Sequence, residues 1–147
     1  IETSGRYEIN LLGEGAEAEV VGGFMAEQSS VVEVEVIINH KARHTRANTT
    51  LKGVARDSAR IRFVGRIVID PDCGASNSFL TERILLLSDS ATAEAVPELE
   101  ILTDDVKCSH AASISRIPES QVFYLQSRGL SRTKAEDLIV AGFLEIA

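Results

Sequence analysis

Ser30-Val31-Val32-Glu33-Val34-Glu35-Val36-Ile37-Ile38 is the stretch that decides the fold. Val32, Val34, Val36 and Ile38 fall on one side of an extended chain, and Glu33 and Glu35 on the other. That alternation predicts a half-buried β-strand, with Val31 and Ile37 adding apolar surface to its second face. The same texture extends outward in both directions. Residues 7–12 and 19–25 precede it, and residues 49–54, 59–64, 66–69, 79–87, 98–102 and 106–110 follow. Gly, Asp, Asn or Ser separates these short runs, as turns require.

The turns carry a weak echo of one another. Asp57-Ser58-Ala59, Asp72-Cys73-Gly74, Asp89-Ser90-Ala91 and Asp104-Asp105-Val106 are spaced by 15, 17 and 15 residues, with apolar strand material between them. An Asp side chain can bond the backbone two residues on and hold a turn. Spacing by itself does not separate a repeat from ordinary Asp-bearing turns. As a repeat, it predicts one coil of a parallel β-helix per period, with each coil stacked about 4.8 Å from the next. Composition agrees with stacked strands. Among 147 residues there is no Trp, aromatics are 5%, and Val and Ile supply 13 each.

Length and charge bound the function. The chain is one domain's worth of residues, with 44% hydrophobic and 25% charged content. A net charge of −7 argues against nucleic acid as a partner. No apolar run approaches the roughly 18 residues that suggest a membrane span. Two cysteines form no disulfide framework, and the expected location is the cytoplasm with reduced thiols. A first residue that is Ile rather than Met suggests a fragment or a processed product.

The last 30 residues change period. Pro118 and Glu119 open a helix that Gly129 closes; Ser131 then caps a second helix, in which Ala135, Leu138, Ile139 and Gly142 follow helical spacing and Gly142 ends it. The expected organisation is a β-helix core over 1–112 and a helical region over 113–147. One face of this hairpin is expected to pack on the end of the β stack and cover its open edges.

Cys108-Ser109-His110 is the most pointed chemical feature. Residues i and i+2 of a strand share a face, so a thiol and an imidazole lie side by side, both suited to zinc or iron. Two ligands do not make a site, and on chemistry alone a buried or incidental Cys is the favoured reading. Cys73 sits at a turn, two proposed coils and roughly 10 Å from Cys108, and is expected to be an apolar coil residue beyond disulfide reach, with a reactive role as the minor alternative. His40 and His44 lie in the basic stretch of residues 39–48, expected as a solvated turn, with an acidic-partner patch as the alternative. The glycines form no Walker pattern, and neither Gly-x-Ser-x-Gly nor His-Glu-x-x-His occurs, so no stand-alone catalytic centre is expected.

Pro97-Glu98-Leu99-Glu100-Ile101, Asp104-Asp105-Val106-Lys107-Cys108-Ser109-His110-Ala111-Ala112, Phe123-Tyr124-Leu125-Gln126-Ser127-Arg128-Gly129 and Ala141-Gly142-Phe143 resemble the C-terminal signature of the SufB/SufD family. Its members are the scaffold subunits of the Suf iron–sulfur cluster assembly machinery. The resemblance continues upstream in His40, Leu51-Lys52-Gly53-Val54, Phe63-Val64-Gly65-Arg66-Ile67-Val68 and Leu85-Leu86-Leu87-Ser88. It implies a right-handed parallel β-helix capped by C-terminal helices. It implies a Suf-type ABC ATPase bound around residues 123–143, with Phe123, Tyr124, Arg128, Gly129 and Phe143 as contact residues. It implies pairing of two SufB/SufD-type subunits, as a homodimer or heterodimer, through their β-helices. Cluster building is placed at that interface, and Cys108 and His110 match the SufD-type Cys-x-His motif. Iron or a nascent cluster is then held only transiently, with no tightly bound cofactor. Ala91 stands where SufB-type subunits carry their interface Cys, whereas Ser113-Ile114-Ser115-Arg116-Ile117 looks SufB-like. Family members are usually longer, so this stretch is expected to be the C-terminal part of a scaffold. The alternative is a purely structural partner-binding module without a metal or cluster role.

Overall fold

The computed structural model describes residues 1–145; Ile146 and Ala147, the end of the expected helical region, lie outside the described residues. Eight strands come first: β1 Glu2–Leu11, β2 Glu17–Ala26, β3 Val31–His40, β4 Arg46–Ala55, β5 Arg60–Ile69, β6 Ser76–Leu86, β7 Thr92–Ile101 and β8 Val106–Arg116. Two helices follow, α1 Glu119–Ser127 and α2 Arg132–Leu144. The strands form two parallel sheets, β1-β3-β5-β7 and β2-β4-β6-β8. Consecutive strands alternate between the sheets, so the chain winds as a parallel β-helix of four coils.

The expected period is half the true one. Glu2 pairs with Val31, Val31 with Arg60 and Arg60 with Thr92, so a coil takes 29 to 32 residues. The 15- and 17-residue Asp spacing is one strand plus one turn. Asp57 and Asp89 therefore mark one corner of the helix, and Asp72 and Asp104 the other. The Asp57 carboxylate accepts from the Gln28 N–H at 2.9 Å, and the Asp57 N–H donates to Ser88 Oγ at 2.8 Å, tying successive coils together at that corner. The runs expected at 59–64 and 66–69 are one strand, β5, passing through Gly65. The stretch at 98–102 is only the second half of β7.

Inside, like stacks on like. Ile9, Ile38 and Ile67 occupy one register column, and Leu11, His40 and Ile69 the next. Phe24 meets Phe63 edge-on at 5.6 Å between ring centres. Gly53 makes room for Phe63, since a Cβ there would lie 2.9 Å from the ring. Outside, the first sheet is a lattice of charge: Arg62 lies between Glu33 and Glu94 at 3.0 Å from each, and Arg66 reaches Glu100 at 2.7 Å.

The helical hairpin does not cover the open edges. Val122, Ala135 and Val140 pack with Val54, Leu85 and Leu87 on the outer face of the second sheet, because those outward positions are apolar. Ser131 caps α2 by accepting the Lys134 N–H at 3.2 Å. Gly142 does not end α2, which continues through Phe143 to Leu144, where both side chains meet the sheet-side cluster. Strands β7 and β8 keep one free edge each, and on their inward faces Leu99 is 50% and Ile114 45% exposed.

Candidate functional site

Cys108 and His110 lie on the inward face of β8, the last strand of its sheet, as their i, i+2 spacing predicts. Register places Cys108 beside Ser78 and His110 beside Leu80 of β6. Cys108 packs against a small apolar group of Ile67, Ile69, Cys73 and Leu80. Burial pushes its thiol above the ordinary range, which favours the protonated form. Cys73 belongs to the same group and lies one coil away, not two; both thiols are free. Its thiol is raised first by burial, then by the charges of Asp70 and Asp72.

His110 has a partner from a distant part of the chain, Glu82. Its Nε2 lies 3.0 Å from Glu82 Oε2, with the His110 side chain 2% and the Glu82 side chain 0% exposed. Glu82 sits on β6 among the inward residues Ser78, Leu80 and Ile84, a charged residue in an otherwise small and apolar phase. Period-two alternation through the run at 79–87 is the signal that locates it. Opposite, Gly65 leaves the space these groups fill: a Cβ there would lie 2.8 Å from Glu82 Oε1, His110 Cε1 and Leu80 Cδ2. Two buried atoms of the pair, His110 Nδ1 and Glu82 Oε1, have no hydrogen-bond partner among the described residues. Among those residues no group of three His, Cys, Asp or Glu side chains converges as a metal site.

His40 is not part of a solvated turn. It is fully buried at the end of β3, and its Nδ1 lies 2.7 Å from Thr45 Oγ1. Thr45 Oγ1 lies 2.9 Å from Ser76 Oγ, which donates to the Cys73 carbonyl at 2.9 Å. This polar chain closes the corner between sheets across two coils, and burial lowers the basicity of His40. His44, in contrast, is exposed, with a positive φ of 58°. Ala91 is buried in the main core.

On the hairpin, Phe123 is 74% and Tyr124 55% exposed, while Arg128 stacks over the Tyr124 ring at 5.3 Å. Gly129 adopts φ +96° and turns the chain between the helices. Phe143 is instead half-buried, with Arg83 5.3 Å and Lys52 6.0 Å from its ring centre. The structure thus separates an exposed aromatic pair on α1 from a packing residue on α2.

A two-sheet parallel β-helix with a Cys-x-His pair on its terminal inward strand and a docked helical hairpin defines a narrow class of protein. Residues 3–143 match the family model described as SUF system FeS cluster assembly, SufBD core domain. The chain belongs to the SufBD family. It is 32% identical over 143 residues to an iron–sulfur cluster assembly SufBD family protein of Mycobacterium leprae, covering 92% of this chain and 36% of that protein. Proteins of the same description in Staphylococcus saprophyticus and Staphylococcus aureus are each 29% identical over 135 residues, covering 92% of this chain and 29% of theirs. The chain thus spans about a third of the length of these curated relatives. Membership suggests a role in iron–sulfur cluster assembly. No helix among the described residues is long and apolar enough to cross a membrane.

Proposed function

We propose that this chain is scaffold material for iron–sulfur cluster assembly, handling iron or a nascent cluster as cargo without turning over a substrate. Cys108 and His110 are its ligands, a second SufB/SufD-type subunit pairs with the β7/β8 end, and a Suf-type ABC ATPase docks on the hairpin in the cytoplasm. The observation that carries this is the position of Cys108 and His110: both face inward on the last coil, whose outer strand edges, on β7 and β8, are unpaired. A partner placed against those edges completes a ligand set that one chain leaves partial. The exposed Phe123–Tyr124 pair supports the ATPase surface, since aromatic anchors are enriched in protein interfaces.

Anaerobic reconstitution with iron and sulfide tests the site. Wild type is expected to retain more iron and sulfide than Cys108→Ala or His110→Ala. Equal, low loading of all three overturns the site and leaves a partner-binding module. Capture of the ATPase is expected to fail for Phe123→Ser/Tyr124→Ser while iron loading stays unchanged.

A further inference from the structure

We infer that Glu82 is the positioning residue for His110: it holds the proton of the imidazole on Nε2 and leaves Nδ1 as the atom that meets iron. The inference rests on the cluster-handling role proposed above and adds to it the ligating atom and the residue that selects it. A carboxylate accepts hydrogen bonds and donates none. His110 Nε2 lies 3.0 Å from Glu82 Oε2, and with Glu82 ionised it is the donor. In the neutral ring the other nitrogen, Nδ1, is then a bare lone pair. Nδ1 is also the atom left without a partner among the described residues. A buried acceptor with nothing to accept from is costly unless a ligand completes it. A histidine that binds a metal through one nitrogen commonly donates its other N–H to a carboxylate, which fixes the ring and makes the ligand more basic.

Three local features make Glu82 a positioning residue rather than a chance neighbour. Its side chain is fully buried, and His110 is its hydrogen-bonding partner. The backbone pairs Leu80, not Glu82, with His110, so the carboxylate reaches diagonally along the strand to the ring. Gly65 on the facing sheet leaves the room in which the two side chains meet.

The test uses the 147-residue chain and four proteins: wild type, Glu82→Gln, Glu82→Leu and His110→Ala. Nitrogen-15 NMR of the imidazole reads the tautomer, and Co²⁺ alone, followed by its visible absorption, reads metal affinity. Wild type is expected to show His110 protonated at Nε2. Glu82→Gln, whose carbonyl still accepts, is expected to keep that tautomer and to bind Co²⁺ within about threefold of wild type. Glu82→Leu is expected to lose the single tautomer and to weaken Co²⁺ by about 10- to 100-fold. Protonation at Nδ1 in wild type overturns the inference without any variant having to fold. So does a Glu82→Leu protein that matches wild type in both readouts. Loss of Co²⁺ in Glu82→Gln with the tautomer kept makes Glu82 a ligand and also overturns it. A His110→Ala protein that binds Co²⁺ like wild type instead refutes the cluster-handling role, and the wild-type tautomer still decides what Glu82 does to the ring.

Discussion

Gly65 is the residue on which the interior of the last coils turns. Its missing side chain is the space occupied by Glu82, His110 and Leu80. Gly65→Ala brings a methyl group to within 2.8 Å of all three, and two of them are buried polar groups held by each other. Overpacking of this kind costs roughly 1–3 kcal/mol. The variant is expected to unfold at lower urea concentration and to separate Glu82 from His110, visible as a change in the His110 imidazole signals. His40 makes a different statement at the same scale. Burial lowers its affinity for a proton, so the folded chain keeps it neutral where the unfolded chain, with a pKa near 6.5, takes a proton up. Its contribution to stability is full above that value and is lost as pH falls through and below it. His40→Gln is expected to lose less stability than wild type between about pH 7.5 and pH 5.5 in urea titrations. Parallel losses in the two proteins would show that His40 titrates alike in both states. The sequence pointed to Cys108 and His110 because a dipeptide step on a strand is legible locally. It did not reveal Glu82 as their neighbour, because that contact spans 28 residues and depends on the coil register.

At the level of elements, the strands were legible because alternation is a local property, whereas the coil was not. Each coil contains two strands of nearly equal length and two turns, so a signal at the turns repeats at half the coil. That is why Asp57, Asp72, Asp89 and Asp104 gave 15 and 17 residues where register gives 29 to 32. The hairpin was legible as two helices, since Ser131 and Gly129 are local punctuation, but its seat was not. Val54, Leu85 and Leu87 sit at outward positions of different coils or just beyond a strand, and only the folded sheet gathers them into one apolar patch. Ser131→Ala removes the hydrogen bond to the Lys134 N–H and is expected to cost about 1 kcal/mol, read as an earlier loss of the hairpin in hydrogen exchange. Deleting residues 118–147 is a larger insult. It uncovers that patch, so the truncated chain is expected to aggregate, while Phe123→Ser/Tyr124→Ser stays soluble. Light scattering of the two proteins side by side checks this.

For the whole molecule, the decisive feature is that the last of the four coils ends in two unpaired strand edges, those of β7 and β8. A free strand edge presents unpaired backbone groups, and proteins usually cover or charge it. On its outward face β7 carries charge in Glu94, Glu98 and Glu100, engaged with Arg62 and Arg66 of the neighbouring strand. On the inward face the same strand offers Pro97 and Leu99, and β8 offers Ala112 and Ile114, all exposed. The molecule thus protects the side of the last coil that faces water and leaves its core side bare. That asymmetry suits a second β-helix set end to end, with edges pairing strand to strand and the two cores meeting around Cys108 and His110. Leu99→Lys/Ile114→Lys places two charges in that junction without touching a fully buried residue. The double variant is expected to keep the strand signal and thermal midpoint of wild type. In sedimentation it is expected to run at its 15.9 kDa chain mass while wild type associates, with itself or with an added SufB/SufD-type subunit. A wild type that stays monomeric in both settings would mean that these edges are not where subunits pair.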